Sequence, residues 1–442
     1  MSAGLGWLGI VRLGLVQTSL GAIVVLTTST LNRVMVVELA LPAMLPGILV
    51  AIHYFVQISR PRFGHGSDRG RRRTPWIIAG MALLGAGAIA ASVATAWMAT
   101  SPAAGIALAL VAFVMIGMGV GASGTCLLVL LAAKVAPERR AAAASITWIM
   151  MILGFAVTAG TVGAVLDPFT YSRLVVITAA VAGIALTVTV LSLWRLETQA
   201  AEAPAYDSRG NAGFREALAE VLGEKHTRHF ALFVFISMLA YSAQDLVLEP
   251  FAGAVFALTP GQSTQLGGLQ HAGVLVGMLM VAFLGTRAGL SRQRFMRTFV
   301  VGGCIGSATL LMGLAVAGFV GRDWPLYGNV FLLGIANGAF AVAAISAMMG
   351  LVSEGTAKRD GVRMGIWGAA QAIAFGLGGV LGTSAVDLIR WLTGSVLNAY
   401  SLVFVAQGLL FAAAVVLALR LSTKADQPGS AAAETPLRAE AT

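Results

Sequence analysis

The chain has 442 residues, of which 58% are hydrophobic and only 11% are Asp, Glu, Lys or Arg. An ordinary soluble domain carries roughly 25% charged residues, so the composition excludes a water-soluble protein. The formal net charge of +10 is spread over separate short loops, which argues against a basic patch for nucleic acid.

Apolar segments long enough to cross a hydrocarbon core recur along nearly the whole chain. Each crossing takes roughly 20 residues of helix. The sequence therefore predicts an all-α membrane protein with twelve transmembrane helices. The predicted spans are residues 12–31, 40–59, 76–99, 103–133, 141–166, 172–195, 229–257, 264–286, 295–320, 326–352, 364–392 and 398–420.

The basic residues sort sharply between the two sides of this topology. On one side lie only Arg33, Arg173, Arg322 and Arg390, and all other lysines and arginines fall on the opposite side. Cytoplasmic loops carry the excess of Lys and Arg in membrane proteins. The distribution predicts that both termini are cytoplasmic, and we call the side with four arginines the outer side.

One long polar segment divides the predicted spans into two sets of six. We assign residues 1–195 to the N-terminal six-helix half and 196–228 to a cytoplasmic linker. Residues 229–421 form the C-terminal half, and 422–442, rich in Ala, Pro and Thr, are predicted to be a disordered cytoplasmic tail.

The two halves contain a weak repeat of one another. Residues 137–167 and 357–387 both run from a basic pair through an early Trp and a Gly-rich middle to a final acid, Asp167 or Asp387. Both segments begin the fifth helix of their half. Parallel repeats of six spans are the layout of major facilitator transporters, which predicts a major facilitator-type fold.

The loop between the second and third spans resembles the signature loop of that superfamily, Gly-x-x-x-Asp-Arg-x-Gly-Arg-Arg. Its sequence is GHGSDRGRRRTPW, and Arg71 stands where the second Gly is usual. A loop carboxylate that accepts hydrogen bonds would tie helices together at the cytoplasmic face. Alternatively, the arginines only anchor the loop on that side. The matching residues are Gly64, Asp68, Arg69, Arg72 and Arg73.

Two carboxylates lie within the apolar run of the seventh span, in the stretch YSAQDLVLEPFAG. Asp245 and Glu249 are one turn apart and therefore share a helix face. His271, early in the returning eighth span, is expected at a similar depth. The pattern predicts an intramembrane Asp/Glu/His cluster in the outer half of the bundle.

Three interpretations of this cluster stay open. Buried carboxylates can relay protons in secondary transporters. A histidine or carboxylate can also ligate the metal of a bound cofactor or accept hydrogen bonds from a partner polypeptide. In the third interpretation the acids are structural, with Glu249 reaching headgroup water and Pro250 marking a kink or helix end.

Other polar residues at membrane depth are also candidates for a functional or a packing role. His53 is a lone intramembrane histidine, suited equally to ligating the metal of a bound cofactor and to a hydrogen-bonded position in the core. Arg33 and Glu38 flank the first outer loop and are predicted to pair at the surface, where such pairs contribute roughly 0–1 kcal/mol. Asn337 is one of several amides predicted to form interhelical hydrogen bonds.

Three segments resemble a narrower family. Residues 14–68, residues 241–253 (YSAQDLVLEPFAG) and residues 365–379 (GIWGAAQAIAFGLGG) are similar to the PucC/LhaA family of purple phototrophic bacteria. The resemblance implies an assembly factor for light-harvesting antenna complexes in the bacterial inner or intracytoplasmic membrane. It also implies transient handling of bacteriochlorophyll, with antenna polypeptides as partners and the reaction centre and pigment-synthesis enzymes as further ones.

Other function classes are less well supported. A pigment prenyltransferase needs acidic clusters on cytoplasmic loops, whereas Asp245 and Glu249 are intramembrane and lack a second cluster. The sequence contains no recognisable nucleophile triad, metal motif or nucleotide motif, so we assign no catalytic or metal-binding residues and predict that the chain is not an enzyme. The alternative is a proton-coupled or lipid or pigment transporter, because the fold and signature loop fit that class as well.

Overall fold

The protein is all-helical over the residues that its structure describes. The computed structural model covers residues 5–60, 63, 72–197, 225–287, 292–353 and 360–423. The helices in chain order are α1 (Trp7–Glu38), α2 (Met44–Val56), α3 (Thr74–Met98), α4 (Pro102–Lys134), α5 (Arg140–Leu166), α6 (Tyr171–Leu193), α7 (Lys225–Phe256), α8 (Pro260–Arg287), α9 (Arg292–Val320), α10 (Leu326–Ser353), α11 (Asp360–Thr393) and α12 (Val396–Thr423).

These helices confirm the predicted multi-pass membrane fold. Within the described ranges eleven helices are long and apolar enough to cross a membrane, and the remaining one, α2 with its following turn, is a shorter apolar helix. Observed ends lie within a few residues of the predicted ones except in α1. That helix was predicted to stop at residue 31, but π-helical stretches at Leu26–Thr30 and Val34–Glu38 continue it through a polar segment.

The described residues form two large hydrophobic cores and three smaller clusters. One large core gathers buried side chains from Leu5 to Leu196, and the other gathers those from Phe230 to Ala418. Leu246 and Ala43 join the large core of the opposite half, and a small cluster packs Ile152 against α8. Residues 198–224 and 424–442 lie outside the described residues, so the assigned linker and tail stay predictions.

The two halves meet along four main helix pairs. α5 packs on α8, α2 packs on α11, and residues 26–38 of α1 reach both α7 and α8. Hydrogen bonds between the halves cluster toward the outer side of the bundle. For example, Asn32 Nδ2 donates to the carbonyl oxygen of Leu246 at 2.7 Å. These contacts hold the outer ends of the halves together.

The α5–α8 contact depends on glycine. A Cβ on Gly268 would lie 2.7 Å from the backbone nitrogen of Gly160, whereas a Cβ on Gly183 in α6 would meet nothing within 4 Å. We expect Gly268→Ala to lower stability by about 1–3 kcal/mol, because the helices must separate. Gly183→Ala should be neutral or stabilising, by up to about 1 kcal/mol, since Ala has the higher helix propensity. Thermal unfolding in detergent tests this prediction. Equal shifts of the unfolding temperature for both variants would contradict it.

Candidate functional site

Glu249 is the buried centre of the site. Its side chain is 1% exposed, and Ser29, in the first π-helical stretch of α1, donates its hydroxyl hydrogen to Oε1. The other oxygen, Oε2, has no hydrogen-bond partner among the described residues. Gly267 on α8 packs so closely on this carboxylate that a Cβ on Gly267 would collide with Oε1. A carboxylate from the C-terminal half therefore lies directly against α1 and α8.

Asp245 lies one turn further from the outer side and differs in its exposure. The residue is half-buried, and its Oδ1 atom is buried without a hydrogen-bond partner in the described part of the chain. Gln270 faces it from α8, and the side chains of Tyr54 and Tyr241 are close enough to interact with it electrostatically. Asp245 therefore keeps one buried oxygen, Oδ1, without a hydrogen-bond partner among the described residues.

An aromatic wall adjoins Asp245. The ring centroid of Phe375 on α11 lies 5.4 Å from that of Tyr54 on α2 and 5.9 Å from that of Tyr241 on α7. All three side chains are half-buried. Since α2 belongs to one half and α7 and α11 to the other, this wall spans the interface. Sequence reasoning missed it, because nothing in the local pattern pairs these rings.

His271 lies on α8 one turn after Gly267, the residue that packs against Glu249. Its Nδ1 donates to the carbonyl oxygen of Gly267 at 2.9 Å, and its ring meets the edge of Phe155 at a centroid distance of 5.0 Å. In the neutral ring this hydrogen bond leaves the lone pair on Nε2, the arrangement found in metal-ligating histidines. The side chain is only 8% exposed, so access requires α5 and α8 to separate.

His53 lies in the N-terminal core and is 2% exposed. Arg60 donates to the side-chain oxygen of Gln57, which turns the Gln57 amide nitrogen toward His53 Nε2 at 3.0 Å. That nitrogen must accept, because an amide NH₂ group only donates. The ring hydrogen is then on Nδ1, which has no partner among the described residues. The lone pair on Nε2 of His53 is thus already occupied.

Arg33 corrects one sequence expectation. It pairs with Glu38 as predicted, but only the Glu38 side chain, 33% exposed, is at the surface, whereas Arg33 is 2% exposed. Its Nε donates to Ser263 Oγ at 3.0 Å, and its Nη2 donates to the carbonyl oxygen of Leu258 at 2.7 Å. The guanidinium group therefore ties α1 to the α7–α8 connection. The expectation failed because a helical continuation through residues 34–38 has no simple sequence signal.

The signature loop is described only at its end. Gly64, Asp68 and Arg69 lie outside the described residues. Arg72 and Arg73 lie inside them, just before α3. Glu197 accepts hydrogen bonds from the backbone nitrogens of Arg73 and Thr74, at 2.7 and 3.0 Å. A carboxylate after α6 therefore caps the start of α3, a contact that sequence reasoning did not anticipate.

The predicted amide bonding of Asn337 is present. Its amide nitrogen donates to Gln244 Oε1 at 3.1 Å, and its oxygen accepts from Ser307 Oγ at 2.7 Å. This network joins α7, α9 and α10 one residue away from Asp245. Polar residues in the centre of this half are therefore used for helix packing.

The site as a whole presents hydrogen-bond acceptors among apolar side chains. No group of three or more His, Cys, Asp and Glu side chains within the described segments could hold a metal ion by itself. A ligand that needs only one such group from the protein could use Asp245, which is the more exposed of the two acids. The open oxygens of Asp245 and Glu249 can also accept hydrogen bonds or take up protons.

Comparison with known proteins gives a consistent picture. A model of the PUCC protein family matches residues 30–425. The chain is 50% identical over 416 residues to the "Bacteriochlorophyll synthase 44.5 kDa chain" of Rhodobacter capsulatus, covering 94% of this chain and 95% of the relative. It is 28% identical to "Protein PucC" of the same organism, covering 93% and 92% of the two chains.

Solved structures with the same fold are transporters. A bacterial homologue of the human lysosomal transporter Spinster aligns with a TM-score of 0.69 at 14% identity, covering 96% of this chain and 98% of that one. A D-xylose–proton symporter aligns with a TM-score of 0.68 at 14% identity, covering 91% and 96%. These likenesses confirm the major facilitator-type fold predicted from the sequence.

Proposed function

Because the chain belongs to the PUCC protein family, we propose that it is a membrane assembly factor for light-harvesting antenna complexes, with bacteriochlorophyll as its cargo. The family match and the 50% identity to a chain named for bacteriochlorophyll synthase support a role with this pigment. Antenna polypeptides are the proposed partners, together with the reaction centre and pigment-synthesis enzymes. The proposed location is the bacterial inner or intracytoplasmic membrane, with both termini in the cytoplasm.

The observation that carries the pigment proposal is the surroundings of Asp245. An acceptor without a hydrogen-bond partner lies beside three half-buried aromatic rings at the interface of the halves. A flat macrocycle can stack on aromatic rings, and the hydroxyl groups of Tyr54 and Tyr241 can donate hydrogen bonds to its carbonyl groups. When bound, bacteriochlorophyll supplies the absorption of near-infrared light. Asp245 accordingly fits the group better than the buried histidines.

His53 and His271 stay predictions as pigment ligands. Each would act only if its surroundings opened, because they are 2% and 8% exposed. His271 is the stronger of the two, since its Nδ1 hydrogen bond leaves Nε2 as the acceptor nitrogen. Glu249 would then fix α1 against α7 through its hydrogen bond with Ser29.

We propose a non-enzymatic role despite the name of the relative. Asp245 and Glu249, the acids in the intramembrane site, are held between helices, with Glu249 bonded to Ser29. A transferase for a pyrophosphate substrate requires carboxylates that converge on magnesium in an accessible place. The proposed activity is therefore binding and delivery of pigment.

The test is antenna assembly in a bacteriochlorophyll-making host whose own copy is replaced. We expect Asp245→Asn combined with Glu249→Gln to lower the near-infrared antenna absorption per cell by at least about tenfold, equivalent to about 1.4 kcal/mol in a binding equilibrium. Asp323→Asn is the matched control, because Asp323 is an exposed acid. Unchanged antenna absorption with normal protein levels would contradict a role for the acids. A colourless purified wild-type protein would restrict the proposal to antenna polypeptides.

A second candidate function is a proton-coupled or lipid or pigment transporter. It is favoured by Glu249, which is almost fully buried at the interface of the halves and keeps one oxygen without a hydrogen-bond partner. Intramembrane carboxylates of this kind mark proton relays in transporters. The two candidates differ in whether the outer end of the bundle must open.

A further inference from the structure

Two aspartates connect the halves at the outer ends of their helices. Asp167 follows the last residue of α5, and its carboxylate accepts hydrogen bonds from the hydroxyl of Thr259 and the backbone nitrogen of Gly261, the latter at 3.2 Å. Gly261 is the second residue of α8. The acid of one half therefore caps the start of a helix in the other half.

Asp387, in the last turns of α11, makes the same kind of contact in the opposite direction. Its Oδ1 accepts from the backbone nitrogen of Ala43 at 3.0 Å, and its Oδ2 accepts from that of Met44 at 2.7 Å. These two residues begin α2. The first backbone N–H groups of a helix have no partner within the helix and attract negative charge, so carboxylates there stabilise it.

The internal repeat relates the two contacts. α5 and α11 are the fifth helices of their halves and carry the repeated segments that end at Asp167 and Asp387. Their targets, α8 and α2, are the second helices. One arrangement is thus built twice across the interface, once from each half. Because the same contact is built once from each half, it indicates a role in how the two halves are held relative to each other.

We propose that Asp167 and Asp387 are a pair of latches that keep the outer end of the bundle closed, and that both must release before this end opens. Each latch joins a helix end of one half to a helix start of the other, so parting the halves breaks it. Because the latches lie on different helix pairs, either one alone holds the end partly closed. This proposal does not depend on the cargo of the protein.

The test uses a buried reporter between the halves. Thr264 is 0% exposed, and its hydroxyl lies 3.4 Å from that of Thr30 in the other half. Thr264→Cys is placed in a chain whose two buried cysteines, Cys126 and Cys304, are replaced by alanine. The rate at which a water-soluble maleimide labels the full-length protein in mild detergent then reports opening of the outer end.

We expect Asp167→Ala and Asp387→Ala each to raise the labelling rate about fivefold and the double variant about 25-fold, because separate contacts contribute independently. Asn variants should rise less, since an amide oxygen still accepts one hydrogen bond. Asp323→Ala is the charge-matched control. An unchanged rate in a monodisperse double Ala variant overturns the proposal, as does full opening by one single variant. If the double Ala variant does not fold, the double Asn variant decides in the same way.

Discussion

Arg33→Met is expected to destabilise the protein by about 1–3 kcal/mol, the range for leaving buried hydrogen-bonding groups without their partner. Methionine matches the length of the arginine stem but cannot donate hydrogen bonds. Glu38 would lose its cation, and the carbonyl oxygen of Leu258 would lose the donor 2.7 Å away. The loss should appear as a large drop in the thermal unfolding temperature in detergent.

Arg33→Lys separates charge from geometry. Lysine keeps the positive charge, but its single ammonium group cannot reproduce the planar fork that reaches Glu38, Ser263 and Leu258 together. We expect an intermediate loss of stability. Arg322→Met is the control, because Arg322 is exposed at the same outer side. If Arg33→Met unfolds at the same temperature as Arg322→Met, the guanidinium group does not stabilise the interface.

The membrane spans were predictable because hydropathy and the thickness of the bilayer constrain them directly. A run of about 20 apolar residues has few alternatives to a transmembrane helix. Helix α1 is the instructive exception, since Arg33 and Glu38 suggested an outer loop. Asn32 and Arg33 are buried and bonded to the other half of the protein, through Leu246, Leu258 and Ser263. Their polarity is satisfied by tertiary contacts that the local sequence does not encode.

The candidate site was predictable in part. The spacing of Asp245 and Glu249 placed both acids on one helix face, and the turn after α7 brought His271 near them. Their different surroundings depend on other helices: Ser29 reaches Glu249 from a π-helical stretch, and Tyr54 approaches Asp245 from α2. Pairings of this kind arise from the packing of distant segments. The repeat did single out Asp167 and Asp387, but not the backbone groups that they contact.

A disulfide across the outer end is expected to distinguish an assembly factor from a transporter. The hydroxyl oxygens of Thr30 and Thr264 lie 3.4 Å apart on opposite halves. Two cysteines at these positions are close enough for a bond of about 2.05 Å with small adjustments. In a chain without Cys126 and Cys304, we expect nearly complete cross-linking under mild oxidation. A protease site placed in the segment 198–224 reveals the cross-link, because the cleaved halves stay joined until reduced.

The effect of this cross-link on function depends on whether the activity requires the outer end to open. Transport across the membrane needs alternate opening of both sides, so a locked outer end stops it. Assembly of antenna complexes around the protein needs no opening of that end. We therefore expect the oxidised Thr30→Cys, Thr264→Cys protein to support the same near-infrared antenna absorption as its Thr30→Ala, Thr264→Cys control. Loss of antenna absorption that returns on reduction would instead favour the transporter, since only a cycle through an outward-open state is blocked by this bond.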